Sequence, residues 1–212
     1  MNNKKGVLFD MDGTLINTYE NINIKQAVSE LKSVQKSLIL KILASRVKSF
    51  ADLEIKIKEE VEDPLEAEEL IGRVSGFLVE HYDNTTLKKE ALGFLEYLKQ
   101  RDYRICLCTN NATAIVDHIL KKKQLEGYFD YVITSQQVTK AKPNPQMYLK
   151  ALEEIALDPD HCVVFEDTES GVLAAKNAGI DVIVVSEKDK KKFADCNMII
   201  RDFSDQRLYE LF

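Results

Sequence analysis

Short apolar runs alternate with amphipathic stretches along most of this chain, and that alternation limits the possible fold more than any other feature. Strands are expected over 5–10 (KGVLFD), 103–109, 131–134, 161–165 and 181–185, with a last one over 197–200. Helices are expected over 87–101, 112–122, 145–155 and 169–178. The apolar runs do not alternate with polar residues, so these strands are buried on both faces, as in a parallel sheet covered by helices. The expected fold is therefore α/β, with a doubly wound parallel sheet.

One stretch departs from the alternation. After Gly13 no glycine occurs until Gly72, and Pro64 is the only proline before Pro143. Between them Leu, Ile, Lys, Glu and Ala dominate, with apolar residues at helical spacing, as in Leu38, Ile39, Ile42 and Leu43, and again in Leu70, Ile71, Val74, Phe77 and Leu78. The chain has 212 residues, enough for one core and an insertion. Residues 1–15 and 86–212 are assigned to the α/β core and 16–85 to an all-helical insertion after the first strand. A break is expected near Pro64, where Asp63 or the proline opens a new helix. Tyr82 and Asp83 are expected to form a second hinge strand at the return.

Acidic residues number 35 and basic residues 29, giving a net charge of −6. That balance argues against a phosphate backbone as partner. The lysine runs at 121–123 and 188–192 read as solvated faces. The apolar stretch 6–9 is too short for a signal peptide, and no window approaches a membrane span. A cytoplasmic location is expected, with no nucleic-acid or membrane partner. Cys106, Cys108, Cys162 and Cys196 read as reduced thiols on or beside apolar runs. His81, His118 and His161 lack ligand-like spacing and are given surface or boundary places.

In a doubly wound sheet, ligands bind beyond the carboxyl ends of the strands. Those ends carry Asp10-Met11-Asp12-Gly13-Thr14, Thr109-Asn110-Asn111, the turn Lys140 to Pro145, and Glu166-Asp167-Thr168-Glu169-Ser170-Gly171. Asp10, Asp12, Glu166 and Asp167 would repel one another, since like charges about 4 Å apart cost roughly 4 kcal/mol at an effective dielectric near 20. Hard oxygen ligands without histidine or cysteine suit Mg²⁺. Lys142 adds a second positive charge, which lets a phosphate enter. A carboxylate beside Mg²⁺ can attack phosphorus. A second carboxyl, its pKa lifted by its surroundings, of which a neighbouring carboxylate is one physical source, can protonate the leaving alcohol. The Thr109 hydroxyl and the Asn110 backbone N–H are the expected donors to phosphoryl oxygens, with Lys142 stabilising the transition state.

The series DMDGTL (10–15), TNN (109–111), KPNP (142–145), VFEDTESG (164–171) and AAKNAGI (174–180) resembles the haloacid dehalogenase superfamily, in its phosphoglycolate phosphatase and β-phosphoglucomutase-like branch. The resemblance covers the core; the helical block is similar only in position and character. It implies Asp10 as nucleophile, Asp12 as general acid and base, and Thr109 and Lys142 as phosphate ligands. Mg²⁺ would be held by Asp10, the Asp12 backbone carbonyl, and Asp167 with or without Glu166. It also implies a three-layer α/β/α Rossmann-like core and a helical cap that opens and closes over the site.

The activity this implies is a Mg²⁺-dependent phosphatase acting on a small phosphate ester through an aspartyl-phosphate. A phosphomutase or phosphotransferase using the same intermediate is the alternative. It is disfavoured because Glu20-Asn21-Ile22-Asn23 stands where mutases carry a basic residue. Dehalogenation fits Asp12 and a full Mg²⁺ set poorly, and a non-catalytic scaffold leaves four clustered carboxylates unexplained. Tyr19, Asn23, Arg46 and Lys48 are candidate cap residues for specificity, and a monomer or weak homodimer is expected.

Overall fold

The computed structural model describes residues 4–18, 31–44, 50–187, 193 and 196–212. Among these residues six parallel strands form one sheet: β1 (Gly6–Phe9), β2 (Arg104–Cys108), β3 (Tyr131–Ile133), β4 (Cys162–Glu166), β5 (Asp181–Val185) and β6 (Met198–Ile200), in the order β3-β2-β1-β4-β5-β6. The order runs outward from β1 in both directions, so it reverses between β1 and β4. Val7 pairs with Ile105 on one side and Val163 on the other. The strand period of two sends Val7, Phe9, Ile105, Leu107, Val163 and Phe165 into one apolar layer and Leu8, Cys106, Cys108, Cys162 and Val164 into the other. Phe9 stacks on Phe165 at 4.9 Å between ring centroids, within the first layer.

The helices are α1 (Ser33–Ala44), α2 (Phe50–Glu60), α3 (Pro64–Asn84), α4 (Ala91–Lys99), α5 (Thr113–Lys122), α6 (Gln146–Ile155), α7 (Glu169–Asn177) and α8 (Gln206–Leu211). The first three fall between β1 and α4, within residues 16–85. Asp63 caps α3, its carboxylate accepting from Leu65 N, and Pro64 takes the first helical position where no N–H is needed. No helix among the described residues is long and apolar enough to cross a membrane.

Two expectations at the hinge are corrected. Helix α3 continues through Tyr82 and Asp83 to Asn84, so these residues do not form a strand. Helix α4 opens at Ala91 rather than at 87, because Glu90 has a left-handed backbone at φ 59 and Leu87 is drawn into an antiparallel bridge with Ile16. Around that bridge Asn17 N donates to Thr86 O at 2.9 Å and Lys88 N to Leu15 O at 2.8 Å, which ties the outgoing and returning chain together. The lysine run 121–123 is also not wholly a solvated face. Lys123 Nζ donates to the carbonyls of Asp83 and Thr85, closing the C-terminal end of α3.

Cys106, Cys108 and Cys162 are buried free thiols, and Cys196 is half-buried. Burial pushes the Cys108 thiol up to about 12, so it stays protonated and inert. Tyr19, Asn23, Arg46, Lys48 and the run 188–192 lie outside the described residues.

Candidate active site

The strand ends converge where the strand order reverses. Asp10 follows β1, Glu166 ends β4 with Asp167 next to it, and Thr109 follows β2. Gly13, at φ 81, adopts a conformation that a side chain would strain, and the chain turns there toward the hinge. Asp10, Asp12, Thr109, Asn110, Lys142 and Glu166 line one cavity of about 260 Å³, together with Thr18, Leu78, His81, Tyr82, Asn111, Thr168 and Ser170. Asp167 lies beside this set: one ligand atom from each of Asp10, Glu166 and Asp167 falls within 4.8 Å of the others.

Lys142 is the buried cation of the site. Its Nζ donates to Asp10 Oδ1 at 2.7 Å, Glu166 Oε1 at 2.7 Å and the Cys108 carbonyl at 2.8 Å, so all three of its protons are engaged. Burial would lower its pKa, but the charges of Asp10 and Glu166 outweigh that and hold it well above the ordinary lysine range. Glu166 is its fixed anchor. Oε1 also accepts from the Tyr148 hydroxyl at 3.0 Å, and Oε2 accepts from Asp167 N at 2.9 Å, Thr168 N at 3.1 Å and Thr168 Oγ1 at 3.0 Å. Burial pushes Glu166 up, yet Lys142 and the two amides hold it below the usual glutamate range.

Asp10 and Asp167 are served differently. Burial, opposed by Lys142 and reinforced by Glu166, Asp167 and Asp12, drives Asp10 well above its ordinary value. Burial and then the charges of Glu166 and Asp12 push Asp167 up to about 7, and its side chain accepts only a long 3.4 Å hydrogen bond from Thr14 among the described residues. Among the described residues one ammonium faces four carboxylates, and Glu166 claims much of it. Asp10 and Asp167 thus keep open oxygen lone pairs and excess negative charge, the donor set that a hard divalent cation fits.

Asp12 is also raised, but by burial; Thr18, Tyr82, Lys142 and Asn111 pull the other way. The expected lift by the surroundings is present, and burial rather than a neighbouring carboxylate is its largest source. His81 is half-buried, the boundary place expected of it, and it also lines the cavity, with Nε2 2.8 Å from the Thr18 carbonyl, which places the ring proton on that nitrogen. Asn111 and Gly171 stand in the strand-end motifs without an expected role, and Tyr148 and Tyr82 lie outside those motifs. Leu78, His81 and Tyr82 do sit three and four residues apart, the spacing that puts them on one helical face.

A doubly wound parallel sheet with clustered carboxylates and a buried lysine at its switch point defines an α/β enzyme. Comparison with known proteins narrows the class. Residues 7–185 match the family model of haloacid dehalogenase-like hydrolases. The chain is 34% identical over 190 residues to the phosphorylated carbohydrates phosphatase of Thermotoga maritima, covering 84% of this chain and 83% of that protein. It is 32% identical over 183 residues to pyrophosphatase PpaX of Bacillus mycoides, covering 85% and 82%. A crystal structure from Thermotoga maritima, of a protein provisionally assigned as a beta-phosphoglucomutase, superposes with a TM-score of 0.75 at 27% identity over 98% of this chain and 100% of that one. The chain belongs to the haloacid dehalogenase-like hydrolase family.

Proposed function

We propose that this hydrolase is a Mg²⁺-dependent phosphatase that cleaves a small phosphate ester through a phosphorylated Asp10. The observation that carries the reading is the position of Asp10, between the Lys142 ammonium at 2.7 Å and the open carboxylate of Asp167, on the wall of a cavity sized for a small metabolite. The names of its phosphatase relatives support it. Asp10, Asp167 and the Asp12 backbone carbonyl would hold Mg²⁺, with Glu166 beside them. When bound, the ion offsets the carboxylate charge and draws phosphoryl oxygens toward Asp10.

An Asp10 carboxylate oxygen attacks phosphorus and the ester P–O bond breaks, while Asp12 gives its proton to the departing alkoxide. Asp12, now a carboxylate, takes a proton from water, whose oxygen attacks the phosphorus of phospho-Asp10. The bond to Asp10 breaks, and inorganic phosphate leaves. Thr109 and the Asn110 amide supply hydrogen bonds to phosphoryl oxygens, and Lys142 supplies the fixed charge. Residues 16–85 act as a cap that gates water and substrate. Phosphoryl return to a second hydroxyl, as in a mutase, has less support, since the curated relatives at 34% and 32% identity are named as phosphatases.

The test is phosphate release from an aryl phosphate by the parent and by Asp10→Asn, each with Mg²⁺ and with a chelator. Activity is expected only for the parent with metal. Equal activity of the variant would overturn the reading.

A further inference from the structure

Three side chains from separate parts of the chain hold the Asp12 carboxylate. Thr18, at the entry to the insertion, donates from Oγ1 to Oδ1 at 2.7 Å. Tyr82, in the last turn of α3, donates from its hydroxyl to the same oxygen at 2.9 Å. Asn111, after β2, donates from Nδ2 to Oδ2 and also to the Tyr82 hydroxyl oxygen at 2.9 Å.

The polarity of this ring is forced. An amide nitrogen can only donate, so Tyr82 accepts from Asn111 and must give its own proton to Asp12. Among the described residues Oδ1 then receives two donors and Oδ2 one. The lone pair left for a transferable proton is on Oδ2. A terminal carboxyl torsion is broad when free, and here the ring fixes it. Tyr82 is 6% exposed, so water does not readily replace its hydroxyl.

We propose that Tyr82, braced by Asn111, is a positioning residue for the proton-transfer step: with Thr18 it occupies Oδ1 and so directs the catalytic proton to Oδ2 of Asp12. This rests on the reading of Asp12 as general acid and base. It also links that residue to the insertion, because displacing α3 relative to β2 breaks the Tyr82 bonds to both Asp12 and Asn111.

The experiment compares leaving groups. A primary alkyl phosphate such as glycerol phosphate needs a proton on its departing oxygen; p-nitrophenyl phosphate, with a stable phenolate, needs little help. The quantity to read is kcat/KM, which reports steps through the first irreversible one, for Tyr82→Phe and Asn111→Ala, with Asp12→Asn as the benchmark and circular dichroism to verify folding. General acid catalysis is worth roughly 100-fold or more, and misplacing the acid forfeits a part of that, so the alkyl-to-aryl ratio is expected to fall at least about tenfold in Tyr82→Phe. Asn111→Ala, which leaves α3 untouched, is expected to lower the ratio in the same direction, and Asp12→Asn to lower it further. A loss equal for both substrates in Tyr82→Phe and in Asn111→Ala, with Asp12→Asn still selective, would overturn the positioning role and leave the acid–base reading standing. An unchanged ratio in Asp12→Asn would remove that reading and the inference with it.

Discussion

Replacing Gly171 by alanine sets two forces against each other. Gly171 lies in the first turn of α7, and its N–H donates to Thr168 Oγ1 at 3.0 Å. Helix propensity favours alanine over glycine by up to about 1 kcal/mol. A Cβ at this position, however, would overlap Oε1, Cδ and Oε2 of Glu166, so the carboxyl group has to move. Glu166 is 1% exposed and is held by Lys142, Tyr148 and the amides of Asp167 and Thr168. Overpacking a tight site costs about 1–3 kcal/mol, and each hydrogen bond to a charged group adds about 1.5–3 kcal/mol if broken. Repulsion therefore wins, with a net loss of about 2–4 kcal/mol. Urea unfolding followed by far-UV circular dichroism should show a lower midpoint at an unchanged slope, and Tm should fall by about 5–15 °C. Phosphate release should fall as well, because Lys142 loses its anchor. A Gly171→Ala protein as stable as the parent would show that Glu166 does not occupy the space above this glycine.

Lys142→Met leaves Asp10 and Glu166 buried without their cation, and should destabilise the fold by about 3–5 kcal/mol in urea while abolishing phosphate release. Folded Asp167, raised to about 7, binds protons more readily than the unfolded chain, so its contribution to the stability of the metal-free protein declines as pH rises from about 4 to about 7. Mg²⁺ binding requires the carboxylate form, so the rise in Tm on adding Mg²⁺ should be larger at about pH 8 than at about pH 6. Calorimetry in buffers of different ionisation enthalpy should detect protons released on binding; a rise in Tm independent of pH would contradict this. Asp63→Ala removes the N-cap of α3 and should cost about 1 kcal/mol, seen as faster amide exchange in the first turn of that helix.

The core was legible in the sequence because its strands are continuous apolar runs buried on both faces, a pattern that needs no knowledge of their neighbours. The site pieces were legible for a related reason: Asp10, Thr109, Lys142 and Glu166 all stand at strand ends or the turns after them, and a doubly wound sheet must bring such ends to one edge. What escaped were residues whose roles depend on approach across the fold. Tyr82 reaches Asp12 from a helix that continues through the residues expected to form a hinge strand, and nothing local distinguishes it from a packing tyrosine. Gly171 resembles an ordinary glycine near a helix start until the Glu166 carboxyl is seen above it. Tyr148 reads as one more apolar-face residue of α6, although its hydroxyl shares Glu166 with Lys142. The onset of α4 is not legible locally, because amphipathic spacing from Leu87 onward resembles a helix, while the left-handed Glu90 and the Ile16 bridge are tertiary features.

The most direct test of the central claim is to acid-quench the enzyme during turnover of a phosphate ester with Mg²⁺ and measure the intact protein and its peptides by mass spectrometry. A gain of one phosphoryl group is predicted, localised to the peptide containing Asp10 and absent from Asp10→Asn. Steady turnover by an Asp10→Asn protein, with no phosphorylated species in either form, would contradict it.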